Sequence, residues 1–481
     1  MEKEKIQTKQ PDTAPPVQKK KFKMPDSWIV VFIMVAIVAI LSWIIPPGSY
    51  DYEQKEINGT MRNLAIDGSF HYLDKSEASP TGFLGTFSAL YSGCVEAGGT
   101  IFMILCCCAC FRIMVQTGAF HAGIGTVMRK MGKKAVALVV VLMVLFGLCG
   151  SMFGMISELY GFYPLIVGLG IALGYDAMFG FAILCLGEYI GFTAGTLNPY
   201  NVAISQGIAE VPIYSGLAYR WIGFVVLMAI SIAYLLAYGR KIRNDPTKSL
   251  LYGRPCIHSF GEGSLDDYKM DTRSILVLLD LAVTLVVLMV GLMKFNWGNK
   301  QLCGLFIIMS IVAALICRWK PQKYIDEFVA GCRGMIWGAL LAGLARGILV
   351  VMNDAKIVDT VIHALAETMK NAPPWLSAQL MLIVQTLINL PISSATGQAA
   401  VTMPIMTPLA DALGVSRDVA CLAFQFGDGL SNLLWPTGGI VIVSAMSDVP
   451  YEKWLKWFMP LFFMLLVAQM LLVGGAVLVG L

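Results

Sequence analysis

Long apolar runs alternate with short polar, basic or turn-rich stretches along almost the whole chain, and several runs reach the roughly 20 residues that cross a bilayer's hydrocarbon core. The pattern predicts an all-α polytopic membrane protein. A polar, Lys-rich stretch over residues 1–26 reads as a disordered cytoplasmic tail. An anchor from Ser27 to Ile45 follows, then an external, turn-rich segment from Pro46 to Thr86. The next unit spans residues 87–239. It is expected to hold an inward crossing over Phe87 to Gln116, an interfacial helix within Thr117 to Lys134, and a re-entrant hairpin over 135–173. A broken helix over 179–210 and a return over Ala218 to Tyr238 complete it. A basic cytoplasmic loop and two linking spans, Ser274 to Met293 and Leu302 to Cys317, occupy residues 240–323. The last unit, 324–481, repeats the plan with a hairpin over 376–413 and a broken helix over 417–446, giving nine crossings and two hairpins in all.

The two units share the order of their elements and a set of matched positions. An offset of 240 positions sets Pro164 on Pro404, Leu169 on Leu409, Ala172 to Gly174 on Ala412 to Gly414, Gly187 on Gly427, and Glu188 on Asp428. The interfacial stretch of the first unit is basic, with Arg129, Lys130, Lys133 and Lys134. Its counterpart, Asn353 to Pro374, is not, so the copies are expected to face opposite sides of the membrane. Polar, Gly- and Pro-broken backbone at membrane depth survives only inside protein or beside water, and two such interruptions in matching halves point to a transporter's substrate site.

Composition narrows the chemistry. Of 481 residues 57% are hydrophobic and 14% charged, against about 25% charged in soluble domains. The net charge of +4 comes from loop residues and forms no nucleic-acid stripe. Twelve cysteines include Cys106, Cys107, Cys108 and Cys110, but no histidine stands among them, so they read as core side chains with no metal site. None of His71, His121, His258 or His363 lies in a break, which argues against a membrane-embedded enzyme. The candidate substrate site comprises Ser151, Glu158, Glu188, Asn198 and Asn201 in the first unit. The second contributes Arg346, Ser393, Ser394, Thr396, Gly397, Gln398, Asp428, Ser431, Asn432 and Thr437. Carboxylates at membrane depth are costly, and their excess over the one mid-span cation placed here, Arg346, favours a cationic group on the substrate. Asp428 and Glu158 would take that group. The dipole ends or Arg346 would take a carboxylate. Ser394, Thr396, Ser431 and Asn432 could instead hold Na⁺, Asp428 could pair with Arg346, and Asn198 could simply cap the resumed helix. Tyr160, Tyr163 and Trp435 offer stacking surfaces. Glu96 is placed at the outer rim, outside the site.

The segments TGAFHAGI, GTLNPYNVAISQGIAE, ATGQAAVTMPIMTPLAD and FQFGDGLSNLLWPTGG make the chain resemble the YfcC-type carriers, relatives of the anaerobic four-carbon-dicarboxylate carriers in the ion transporter superfamily. That resemblance implies an inverted-repeat fold with scaffold and transport domains, elevator-type alternating access, a homodimer, and a bacterial cytoplasmic (inner) membrane location. It also implies secondary active transport of a basic amino acid in exchange, or of a dicarboxylate coupled to protons or sodium. The hairpin tips depart from the Ser-Asn-Thr used for Na⁺ by better-known relatives: the first reads Gly150, Ser151, Met152, Phe153, Gly154 and the second Ser393, Ser394, Ala395, Thr396, Gly397.

Overall fold

The computed structural model describes residues 27–57, 60–74, 78–131, 135–254, 270–295, 297–369 and 372–481. The tail over 1–26, Lys133, Lys134 and Lys370, and the loop section that carries His258 and Lys269 lie outside the described residues. The chain is a multi-pass helical membrane protein. Six described helical stretches are long and apolar enough to cross a bilayer: 98–116, 136–153, 217–244, 299–316, 321–354 and 451–479. One of these, 136–153, is the first arm of the expected hairpin.

Helix α1 (Ser27–Ile44) is followed by strands, which corrects the all-α expectation. β1 (Gly48–Ser49) pairs antiparallel with β4 (His71–Tyr72), and β2 (Tyr52–Ile57) with β3 (Thr60–Ala65). The turn-rich composition of this segment permits strands as readily as coil, and buried Ile57 and Leu64 give the ribbon something to pack.

The expected crossing over 87–116 is two helices, α2 (Phe83–Glu96) and α3 (Gly98–Gln116), interrupted at Ala97. After α4 (Ala119–Met131), the first unit runs α5 (Ala135–Leu148), a π turn over Cys149–Phe153 and a 3₁₀ turn over Ser157–Phe162. α6 (Tyr163–Ala172), α7 (Ala177–Thr193), α8 (Val202–Ile208) and α9 (Leu217–Asn244) complete it. α10 (Thr272–Phe295) and α11 (Asn299–Ile316) lead to α12 (Pro321–Asp354) and α13 (Val358–Glu367). The second unit then runs α14 (Pro374–Ile388), α15 (Ala395–Ala412), α16 (Arg417–Ser431), α17 (Ile440–Met446) and α18 (Tyr451–Val479).

The 240-residue offset holds in the backbone. Asp176 caps α7 by accepting from Phe179 N at 2.8 Å, and Ser416 caps α16 by accepting from Val419 N at 3.2 Å. Gly174 and Gly414 both take the left-handed conformation, at φ 83° and 70°. α7 packs on α5 as α16 packs on α14. A Cβ on Gly187 would lie 3.0 Å from Met143 O, and one on Gly427 would lie 2.8 Å from Leu382 O, so the matched glycines mark the same close helix crossing. The copies differ at the prolines. Pro164 opens α6, whereas Pro404 lies inside α15, because the residues of the first unit's 3₁₀ turn, 157–162, correspond to 397–402, which are already helical in the second.

Candidate functional site

The second unit's breaks face α12 across two adjoining cavities. One, of about 350 Å³, is lined by Glu96, Tyr160, Arg346, Leu349, Ser393 and Thr437 among others. The other, of about 450 Å³, is lined by Tyr52, Arg346, Leu349, Lys356, Asp359, Ser394 and Gly397 among others. Arg346 and Leu349 border both. Of the expected site residues, Arg346, Ser393, Ser394, Gly397 and Thr437 are brought together here.

Arg346 does not pair with Asp428. Its Nε donates to Glu96 Oε2 at 3.1 Å, and the two side chains are 40% and 44% exposed. Glu96 therefore belongs to the cavity and not to a rim outside the site. α12 runs antiparallel to α2 and α3, with Gly93 beside Gly343 and Gly347, and Gly331 beside Ala109. A Cβ on Gly93 would lie 2.5 Å from Gly347 N, so only glycine lets these backbones approach and set the acid beside the base. The signal was available: an isolated acid in an apolar helix, immediately before Ala97, Gly98 and Gly99.

Most polar residues of the first break are spent on backbone that the unwinding exposes. Ser151 Oγ donates to Ala194 O at 2.9 Å and lies 3.1 Å from Thr196 Oγ1. Asn198 Oδ1 accepts from Tyr200 N at 2.8 Å, the capping alternative, and its Nδ2 donates to Gly150 O at 3.3 Å. Asn201 Nδ2 donates to Phe192 O at 2.9 Å, and its buried Oδ1 has no partner among the described residues. Glu158 Oε2 accepts from Ile156 N at 3.1 Å and Ser157 Oγ at 3.3 Å, holding its own turn. Glu188 is fully buried. Its Oε1 accepts from Tyr163 OH at 2.5 Å, and its Oε2 has no partner among the described residues.

Sequence reasoning missed what joins the two units. Gln425, on α16, donates through Nε2 to Thr193 O at 3.0 Å and Gly195 O at 2.8 Å, closing carbonyls freed where α7 ends. Its Oε1 accepts from Arg220 Nη1. Arg220 is 1% exposed, so Arg346 is not the lone cation within the helical body. Position 220 is near the start of α9, where a basic residue reads as interfacial, but the side chain folds back into protein.

In the second unit Gln398 Nε2 donates to Gln385 O at 2.9 Å, and Asn389 Nδ2 donates to Gln398 Oε1 at 3.1 Å and to Asp428 Oδ1 at 3.0 Å. Asp428 is fully buried in this amide network, its Oδ2 without a partner among the described residues, and it lines neither cavity. Ser394 caps α15 and lies 3.3 Å from Thr396 Oγ1. Ser431 Oγ donates to Gly427 O at 2.6 Å and Asn432 Nδ2 to Asp428 O at 2.8 Å. The two halves of the expected sodium set are thus satisfied separately. Thr437 Oγ1 donates to Leu390 O at 2.7 Å and Trp435 Nε1 to Thr386 O at 2.7 Å, tying the second break to its hairpin. Tyr160 is the one expected stacking aromatic that lines either cavity.

A family model described as C4-dicarboxylate anaerobic carrier matches residues 24–478. A protein of Escherichia coli (strain K12), described as a candidate basic amino acid antiporter, YfcC, is 28% identical over 494 residues, covering 96% of this chain and 98% of its own. A Haemophilus influenzae protein described as uncharacterized is 26% identical over 503 residues, covering 96% and 97%. Among solved structures, the Alcanivorax borkumensis YdaH transporter aligns at 15% identity and a TM-score of 0.42, covering 95% of this chain and 99% of its own. Neisseria gonorrhoeae MtrF aligns at 16% and 0.43, covering 95% and 96%.

Proposed function

We propose, for a chain that belongs to the C4-dicarboxylate anaerobic carrier family, secondary active transport by exchange of a small amino acid, a basic one such as arginine or ornithine by preference. The observation that carries the proposal is the 350 Å³ cavity at the second unit's breaks, in which an acid and a base face Ser393 and Thr437. A cavity carrying both signs suits a solute that carries both. The relative described as a candidate basic amino acid antiporter adds support. The α12 side of the cavity serves as scaffold, while the two hairpin and broken-helix units carry the solute past it in an elevator motion. The re-entrant hairpins enter from opposite faces of a bacterial inner membrane, the N-terminus is cytoplasmic, and the protein works as a homodimer. Asp428 and Glu188, fully buried, and Glu158, half-buried, are the acids that answer a cation, borne by the substrate or travelling with it.

A second reading keeps the family's four-carbon dicarboxylate as substrate, with protons or sodium as the coupled cation at Asp428 or at Ser394, Thr396, Ser431 and Asn432; the family description favours it. The purified chain in liposomes preloaded with arginine should take up labelled arginine or ornithine and should ignore succinate and fumarate. Uptake driven by internal succinate alone, or uptake that needs no internal solute, would overturn amino acid exchange.

A further inference from the structure

We propose that Glu96 and Arg346 form a clamp for the α-amino and α-carboxylate groups of the substrate, so that the cavity selects amino acids by their headgroup. The proposal rests on the transport reading and assigns its substrate class.

The pair is built on rigid elements. Gly93 lies one turn before Glu96, and its backbone contact with Gly343 and Gly347 fixes α2 against α12 on both sides of the base. The contact between the charges is a single one, Nε to Oε2 at 3.1 Å. No other hydrogen bond of either side chain is found among the described residues, so the Nη edge of Arg346 and Oε1 of Glu96 remain to be used. That edge is a planar fork matched to a carboxylate, and Oε1 is an acceptor matched to an ammonium. The two groups stand side by side, as do the charges of an amino acid headgroup.

Reorganising the pair costs little. Both side chains are near two-fifths exposed, and an ion pair at that exposure, screened by water, contributes little. A zwitterion in the cavity exchanges this weak contact for two charge-assisted ones in a space lined by Tyr160, Ser393 and Thr437. A dicarboxylate fares worse, because its second carboxylate would meet Glu96. Arg346 and Leu349 also border the 450 Å³ cavity, which gives a side chain somewhere to extend.

The test reads binding as thermal stabilisation of the detergent-solubilised full chain, titrated with arginine, its decarboxylated amine, its des-amino acid, alanine and succinate. Each arginine analogue lacks one headgroup charge and should bind about 10- to 100-fold more weakly than arginine to the native chain. Glu96→Gln should erase the preference over the des-amino acid, and Arg346→Gln the preference over the amine. If arginine and both analogues bind the native chain equally, the clamp is wrong while amino acid transport stands. Binding of alanine without arginine keeps the clamp and removes the preference for basic side chains. Succinate binding alone overturns both. The comparison of analogues on the native chain needs no variant, so a variant that fails to fold leaves the test intact.

Discussion

Asp428 is surrounded by amides, and among the described residues no cation pairs with it; one oxygen accepts from Asn389 and the other has no partner there. An asparagine there keeps an oxygen for the Asn389 bond and removes only the charge. Asp428→Asn should therefore cut arginine exchange in liposomes by more than about tenfold while leaving the melting temperature nearly unchanged; exchange at the native rate would show that the buried acid serves packing alone. Gln425 works in the opposite sense, through its donors. Gln425→Leu keeps the volume but leaves Thr193 O and Gly195 O unpaired and buried, at about 1–3 kcal/mol each. A clear drop in melting temperature is expected, and it should be partly recovered when Arg220→Leu is added, since the arginine then no longer lacks its acceptor. Additive losses in the double variant would disconnect the two residues. These roles explain why single polar residues were hard to read from sequence. Ser, Asn and Gln at a break suit ligand binding and backbone repair equally, and only the partner atom separates the two.

At the scale of elements, the external ribbon joins parts of the chain that are far apart in sequence. Asp359, on α13, accepts from Tyr50 N at 3.1 Å and Tyr52 OH at 2.8 Å, and burial, then the Asp359 charge, pushes the Tyr52 phenol far above its ordinary range. At the other end, Ile57 and Leu64 pack with Ile204, Ile208, Ala399, Met403 and Phe424 on α8, α15 and α16. Asp359→Ala should free the α13 end and make the segment near Tyr50 and Tyr52 several-fold more sensitive to protease in the folded protein; unchanged cleavage would show that the apolar end holds it alone. Lys55 Nζ lies 2.8 Å from Glu210 Oε1, and this bond and charge hold the Glu210 carboxyl below its ordinary 4.5 while raising the Lys55 ammonium above 10.5. The contact is thus fully present between those two ordinary values. It is lost as pH falls through the lowered Glu210 value or rises through the raised Lys55 value. Both groups are about half exposed, so salt should weaken the contact as well. Spin labels at Met61 and Ile213 should report a longer distance in Glu210→Gln at neutral pH, and in the native chain only in more acid solution.

For the whole molecule, the internal repeat was legible because helix punctuation survives in sequence: caps, left-handed glycines and close-packing glycines recur at 240 residues in both the sequence and the backbone. The ribbon was not legible, since short, exposed strands such as Tyr52–Ile57 carry almost no apolar alternation. Nor was the Glu96–Arg346 pair, which depends on α12 lying antiparallel to α2, a long-range fact no local pattern encodes. The ribbon's two attachments yield a test of motion. It is bound at one end to α13, which follows α12 in the chain and also touches α14 and α15, and at the other to α8 and α15 of the two units. If the units move past α12 in an elevator stroke, the apolar end must slide or let go during each cycle, since the Asp359 end is held by hydrogen bonds to a buried carboxylate. Joining Lys55→Cys to Glu210→Cys with a short bis-maleimide, in a chain whose native cysteines are replaced, should stop exchange. Arginine binding measured by thermal shift should survive, because neither position lines the two cavities. Exchange that continues at full rate through the cross-link would mean that the ribbon travels with the units, and that α13 moves with them.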